Sequence, residues 1–297
     1  GVGTAAPERA STPGGTPVKI IRVETFSRRP ACLVRVTADD GSTGIGQTSA
    51  YEADITATVL HRMVAPVVLG RDPLDAGALT DAVTDATLKF PGSFVCRALC
   101  GVETACWDLR GKLEQKLVYE LLGGSARSLS AYGSSMRRDI SPEDEADRLR
   151  TLRDEKGFRA FKIRVGSPAG HNRDASPGRT EAIIPRVREC LGDEIVIHAD
   201  ANSCYTPDEA IRVGRLLESY NYGHFEEPCP YWKLDWTRQV ADALEMPVAG
   251  GEQDNSWPVW QRMVRESVVD IVQPDVCYIG GISRALAVAE RSEERRV

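Results

Sequence analysis

The sequence predicts an α/β protein: a modified (β/α)-barrel of the TIM type preceded by a smaller α+β domain. Three observations carry this. Residues 18–125 read as a group of strands followed by a group of helices. From about residue 126 short apolar strands alternate with amphipathic helices. Acidic residues close four of those later strands, Asp200, Glu226, Glu252 and Asp275, at intervals of 26, 26 and 23 residues. That interval is close to one β/α unit, and its regularity favours a barrel over an open sheet.

A chain of 297 residues suits such a pair of domains, and 42% hydrophobic with 27% charged residues and a net charge of −6 is a globular composition. Nothing in the totals suggests a basic surface for nucleic acid. No uncharged apolar run approaches the ~18 residues that span a bilayer, so no membrane association is expected. The eight cysteines never form a C-x-x-C pair and sit in apolar segments, as buried thiols of a cytoplasmic protein do. Cys96 and Cys100, four apart on a predicted helix, are read as core packing rather than zinc ligands.

In chain order, residues 1–17 lack an apolar stretch and read as a flexible leader. Residues 18–37 and Thr43–Gln47, joined at the turn signal Asp39-Asp40-Gly41, predict an antiparallel meander. Helical patterns follow over 53–68 and 75–88, and Val95, Leu99, Val102, Cys106, Leu109 and Leu113 recur at helical spacing, with Gly123-Gly124 as the stop. The barrel domain, 126–297, contributes strands at 129–133, 159–165, 195–200, 222–226, 248–252 and 269–275. The polar segment at 167–180 is expected to be an extended or mobile βα loop over the catalytic face.

Side chains at the carboxyl ends of neighbouring barrel strands converge on one point. Three carboxylates meeting there repel one another, and a hard divalent cation relieves that repulsion. Asp200, Glu226 and Glu252 are therefore the predicted ligands of one Mg²⁺ per subunit. His198 and His224 precede two of these acids by two residues, point to the same side, and are expected to fill the barrel interior; His61 and His171 read as surface residues.

The motifs resemble those of the enolase superfamily, within it the mandelate racemase group, from about residue 18 to the end. GVETACWDLRGK with LVYELLGG is similar to its junction between capping domain and barrel. FKIRVG resembles its second-strand lysine motif, HADAN, FEEP and AGGEQ its three metal-ligand strands, and QPDVCYIGG its sixth-strand motif. The resemblance assigns the metal to Asp200, Glu226 and Glu252, makes Lys162 and Arg164 the second-strand pair, and makes Asp275 the acid that orients a catalytic histidine. It implies removal of the proton α to a carboxylate with metal stabilisation of the enediolate. It also implies a homo-oligomer and a small carboxylate substrate.

Two departures matter. The family's usual second-strand K-x-K is Lys162-Ile163-Arg164 here, and arginine is a poor base. Arg164 either binds an oxyanion or pairs with a neighbouring carboxylate, leaving Lys162 as acid or base. The family continues into a seventh strand with the catalytic histidine, whereas this sequence ends after six countable strands, so the barrel is read as truncated. One competent base suffices for dehydration, and an acid-sugar dehydratase giving a 2-keto-3-deoxy acid is the leading expectation. A racemase or epimerase of a 2-hydroxy or amino acid, or an inactive metal-binding relative, stays open. Loops 26–31 and 47–55, with Arg28 and Arg29, are expected to shape selectivity.

Overall fold

Strand and helix order in the computed structural model, which describes residues 18–293, follows the predicted sequence of elements. The expected leader, residues 1–17, lies outside the described residues. The chain divides into two compact units. The first runs to Arg127 and takes in the segment from Pro274 onward; the second is Ser128–Gln273. The division thus differs from the sequence-based one in where residues 274–293 belong.

In the first unit, β1 (Ile20–Arg28), β2 (Ala31–Ala38) and β3 (Thr43–Gln47) form the antiparallel meander, with Val34 opposite Thr25 on one side and Gly46 on the other. Alternation decides the faces: Cys32, Val34 and Val36 are buried, while Leu33 is exposed. The buried face meets the helix Ser93–Glu114, whose Val95, Leu99, Val102, Cys106 and Leu109 lie in the same core as Leu60, Val64 and Leu79. Each fully buried Leu or Val stabilises by about 1.5–3 kcal/mol. Leu113, expected on that stripe, sits in the last turn and is exposed. Helix and strand approach so closely that a Cβ on Gly46 would strike the carbonyl of Gly101 and the Thr104 hydroxyl, which is why TGIGQ alternates glycine.

The carboxyl-terminal segment joins this unit through Glu103 of the long helix. Its carboxylate accepts from Ile282 N (2.8 Å), Ser283 N (2.9 Å), Ser283 Oγ (2.6 Å) and Trp107 Nε1 (2.9 Å), capping the helix Ile282–Glu293. A side chain from a distant helix supplies the cap, which helical periodicity does not reveal.

The second unit is a parallel sheet in simple order: β4 (Gly133–Ser134), β5 (Ala160–Arg164), β6 (Val196–Asp200), β7 (Phe225–Glu226), β8 (Val248–Gly250) and β9 (Ile271–Val272). A helix follows each of the first five strands, beginning with Pro142–Lys156, whose N-cap Ser141 accepts from Asp144 N at 3.1 Å. This is a run of parallel β/α units of barrel type. Several strands are shorter than predicted. The first pairs only at Gly133 and Ser134, leaving Leu129 exposed. The fifth stops at Gly250, because Gly251, at φ +112° against the Trp260 ring, turns the chain. Among the described residues no helix is long and apolar enough to cross a membrane.

Candidate active site

Strand register builds the site. Arg164 pairs with Asp200, and Asp200 with Glu226, so these three stand in one row at the carboxyl ends of β5, β6 and β7. One pleat below, Lys162 pairs with His198, and His224, the residue just before β7, stacks on His198. The residues between them, Phe161, Ile163, Ile197, Ala199 and Phe225, are fully buried on the opposite face. Period-two alternation therefore sorts apolar side chains toward the helices and charged ones to the inside.

Lys162 Nζ lies 2.6 Å from Glu226 Oε2 and 3.4 Å from Asp200 Oδ2, all three groups being buried. Arg164 forms an ion pair with Asp200 and also donates to Ser135 O (2.8 Å) and Asn202 Oδ1 (3.0 Å). The carboxylate pairing read for Arg164 from the sequence is thus with Asp200. Glu226 also accepts from Gln273 Nε2 at 3.2 Å. Against the penalty of burial, the His224 imidazole 3.7 Å away and the Lys162 ammonium hold the Glu226 carboxyl down at about 2.

The histidines form a stack of their own. The His198 and His224 rings are parallel within 14° at 3.8 Å, and Tyr132 meets His198 edge-on at 5.6 Å. Burial, with His224 and Lys162 alongside, lowers His198 to about 4, so it is neutral near pH 7. Both lie inside the strand row, as expected of interior residues. His61 and His171 are exposed.

Two acids stand differently from the prediction. Glu252 follows the turn at Gly251 and is not on the strand; burial, then the nearby Glu226 charge, raises its pKa. Asp275 is the N-cap of the short helix Val276–Ile279, its carboxylate accepting from Cys277 N (2.7 Å) and Tyr278 N (3.1 Å). The strand had ended at Val272, so Asp275 belongs to the first unit in this structure.

Sequence reading missed four residues here. Asn202 donates its backbone N to Asp200 Oδ1 (2.8 Å), and its amide oxygen receives Arg164 and Arg138. Glu227, buried, is pushed up to about 8 by desolvation and by Glu252 and Glu226. Burial raises Asp254 to about 6. The doubled acid of FEEP and the asparagine of HADAN were the available signals. The 167–180 segment, expected to be an extended or mobile βα loop, connects β5 to the helix starting at Arg179 and is held by hydrogen bonds: Ala169 N donates to Asn202 O (2.9 Å) and Asn172 N to Cys204 O (3.0 Å).

Among the described residues no three His, Cys, Asp or Glu side chains stand together as a ready set of metal ligands. Lys162 and Arg164 occupy that position electrostatically, neutralising Asp200 and Glu226. The donor set nevertheless fits a hard cation. Glu226 Oε1 and Glu227 Oε1 are buried without a hydrogen-bond partner, and the Glu252 carboxyl is raised first by burial and then by the Glu226 charge.

An α+β domain coupled in one chain to a β/α-barrel with acid-tipped strands defines a class, the barrel enzymes with a capping domain. Residues 8–123 match the mandelate racemase / muconate lactonizing enzyme N-terminal domain, and residues 144–297 match the enolase C-terminal domain-like family. The chain belongs to the mandelate racemase / muconate lactonizing enzyme group of the enolase superfamily and is an enzyme of that superfamily, a lyase or a racemase/epimerase. It is 33% identical to the arabinonate dehydratase of Saccharolobus solfataricus over 283 residues, covering 92% of this chain and 73% of the relative. A solved protein of Roseobacter denitrificans, provisionally called a racemase, is 56% identical with a TM-score of 0.91, over 93% of this chain and 75% of that one. A mandelate racemase/muconate lactonizing protein of Paracoccus denitrificans complexed with magnesium is 32% identical with a TM-score of 0.87, over 94% and 77% of the two chains.

Proposed function

We propose that the protein is a Mg²⁺-dependent acid-sugar dehydratase, and the observation that carries this reading is the state of Arg164. Its guanidinium is committed to Asp200, Ser135 O and Asn202 Oδ1. Arginine so engaged is not a base. Racemisation by direct transfer needs competent groups on both faces of the α-carbon; dehydration needs one base and an acid. The name of the Saccharolobus relative supports the same choice.

Asp200, Glu226 and Glu252 are the residues that would hold the metal. When bound, it supplies positive charge to the substrate carboxylate as negative charge grows there. Lys162 is placed to move the proton. Once its own proton has been given up to solvent, Lys162 Nζ takes the α-hydrogen; the β C–O bond then breaks, the departing oxygen takes that proton back from the Lys162 ammonium and leaves as water, and the enol tautomerises to a 2-keto-3-deoxy acid. His198, paired in register with Lys162 and stacked on His224, is neutral and so adds no positive charge beside Lys162. Asn202 fixes Asp200 while Gln273 and Lys162 fix Glu226, so the acids are oriented from several sides.

Acid sugars incubated with Mg²⁺ and the protein are expected to yield 2-keto acid. In D₂O, deuterium in recovered substrate with inverted configuration and no 2-keto product would replace dehydration with racemisation.

A further inference from the structure

We propose that Arg138 receives a second carboxylate of the substrate, so that the enzyme selects polyhydroxy dicarboxylates (aldaric acids) over the corresponding monocarboxylates. The inference deepens, and rests on, the reading of the strand row as a site for a carboxylate substrate.

Arg138 lies on the loop after β4, and its guanidinium is half-buried. Nε donates to Gly166 O at 2.8 Å and Nη2 to Asn202 Oδ1 at 2.8 Å, with the carbonyls of Val165 and Asp200 at 3.5 Å. Each of these partners is neutral. Among the described residues Arg138 forms no ion pair, whereas Arg164, on the same amide oxygen, has Asp200. Burial, then the Arg164 and Arg179 charges, push it down to about 10, while the carboxylates Asp174, Glu145 and Asp139 face Arg179.

A guanidinium moved partly out of water and left without a counter-ion is costly unless an anion arrives with the ligand. Its position narrows which anion. Asn202 links Arg138 to Asp200 and Arg164, the row against which the reacting carboxylate would lie, so the second anion belongs to the same small molecule. One planar fork matches one carboxylate in geometry and charge; a phosphate dianion calls for more donors than one half-committed arginine offers.

Galactarate and galactonate differ in the second carboxylate alone and serve as the probes, each with Mg²⁺, against wild type, Arg138→Gln and Arg138→Lys. Calorimetric binding is read separately from 2-keto acid formation. Wild type is expected to bind galactarate the more tightly. Arg138→Gln should cut the galactarate-to-galactonate affinity ratio by roughly 30- to 5,000-fold, the range for removing one partner of a desolvated charge pair, and Arg138→Lys should restore part of it. Thermal unfolding of each variant confirms that it is folded, and Arg138→Lys carries the comparison if Arg138→Gln is not. A ratio unmoved by both substitutions, or tighter binding of galactonate by wild type, overturns the inference and leaves dehydration standing if 2-keto acid still forms. Galactarate bound through Arg138 with no 2-keto acid formed supports the inference and overturns dehydration. Binding of neither acid overturns both.

Discussion

The two units bury carboxylates in opposite ways. Glu103, fully buried in the first, has donors on both oxygens: two backbone N–H groups, a hydroxyl and an indole. In the second, Glu226, Glu227 and Asp254 are as well hidden, yet each keeps one buried oxygen without a partner. A completed donor set makes a joint, and Glu103 joins two segments about 180 residues apart. An incomplete one keeps acceptors for something that binds later. Burial alone does not separate the two cases; satisfaction does.

Substitutions on either side should break different properties. Glu226→Gln is expected to lower turnover on the order of 10³-fold, in line with losing one electrostatic contact to the reacting group, while the urea midpoint changes little. Glu103→Ala should do the reverse. Removing the acceptor for four buried donors costs ~3 kcal/mol, read as a lower urea midpoint, with Mg²⁺ affinity of the folded protein unchanged.

Acidity sharpens the contrast. With metal removed by chelator, Glu227 at about 8 and Asp254 at about 6 keep protons that the unfolded chain, with ordinary values of 4.5 and 3.8, has already released. The unfolded state then binds fewer protons, so stability falls as pH rises from about 4 to 8. Glu227→Gln should flatten the upper half of that decline, read by thermal unfolding at a series of pH values. The smallest effect is expected at the surface. Arg29, on one predicted selectivity loop, pairs with Glu52 (3.0 Å) and Asp54 (3.3 Å) on the other, with all three side chains more than half exposed. Arg29→Ala should cost under ~1 kcal/mol in the same unfolding assay.

Periodicity made the architecture legible before any coordinates. The meander, the long helix and the order of β/α units all follow from apolar spacing and turn residues, and the even intervals between acids anticipated Asp200 and Glu226 side by side at two strand ends. What stayed hidden depended on where strands end and which loops meet. Glu252 and Asp275 lie beyond their strands because Gly251 turns one chain early and a helix starts at Val276 in the other. Arg138 and Asn202 are 64 residues apart, and no pattern in the sequence brings them together.

Calorimetric titration of Mg²⁺ into wild type and Glu226→Gln tests the central claim most directly. One site per chain in wild type, lost in the variant while the fold persists, is the predicted result. Equal binding by both proteins, or none by wild type, would contradict the assignment of the strand-end acids as a metal site.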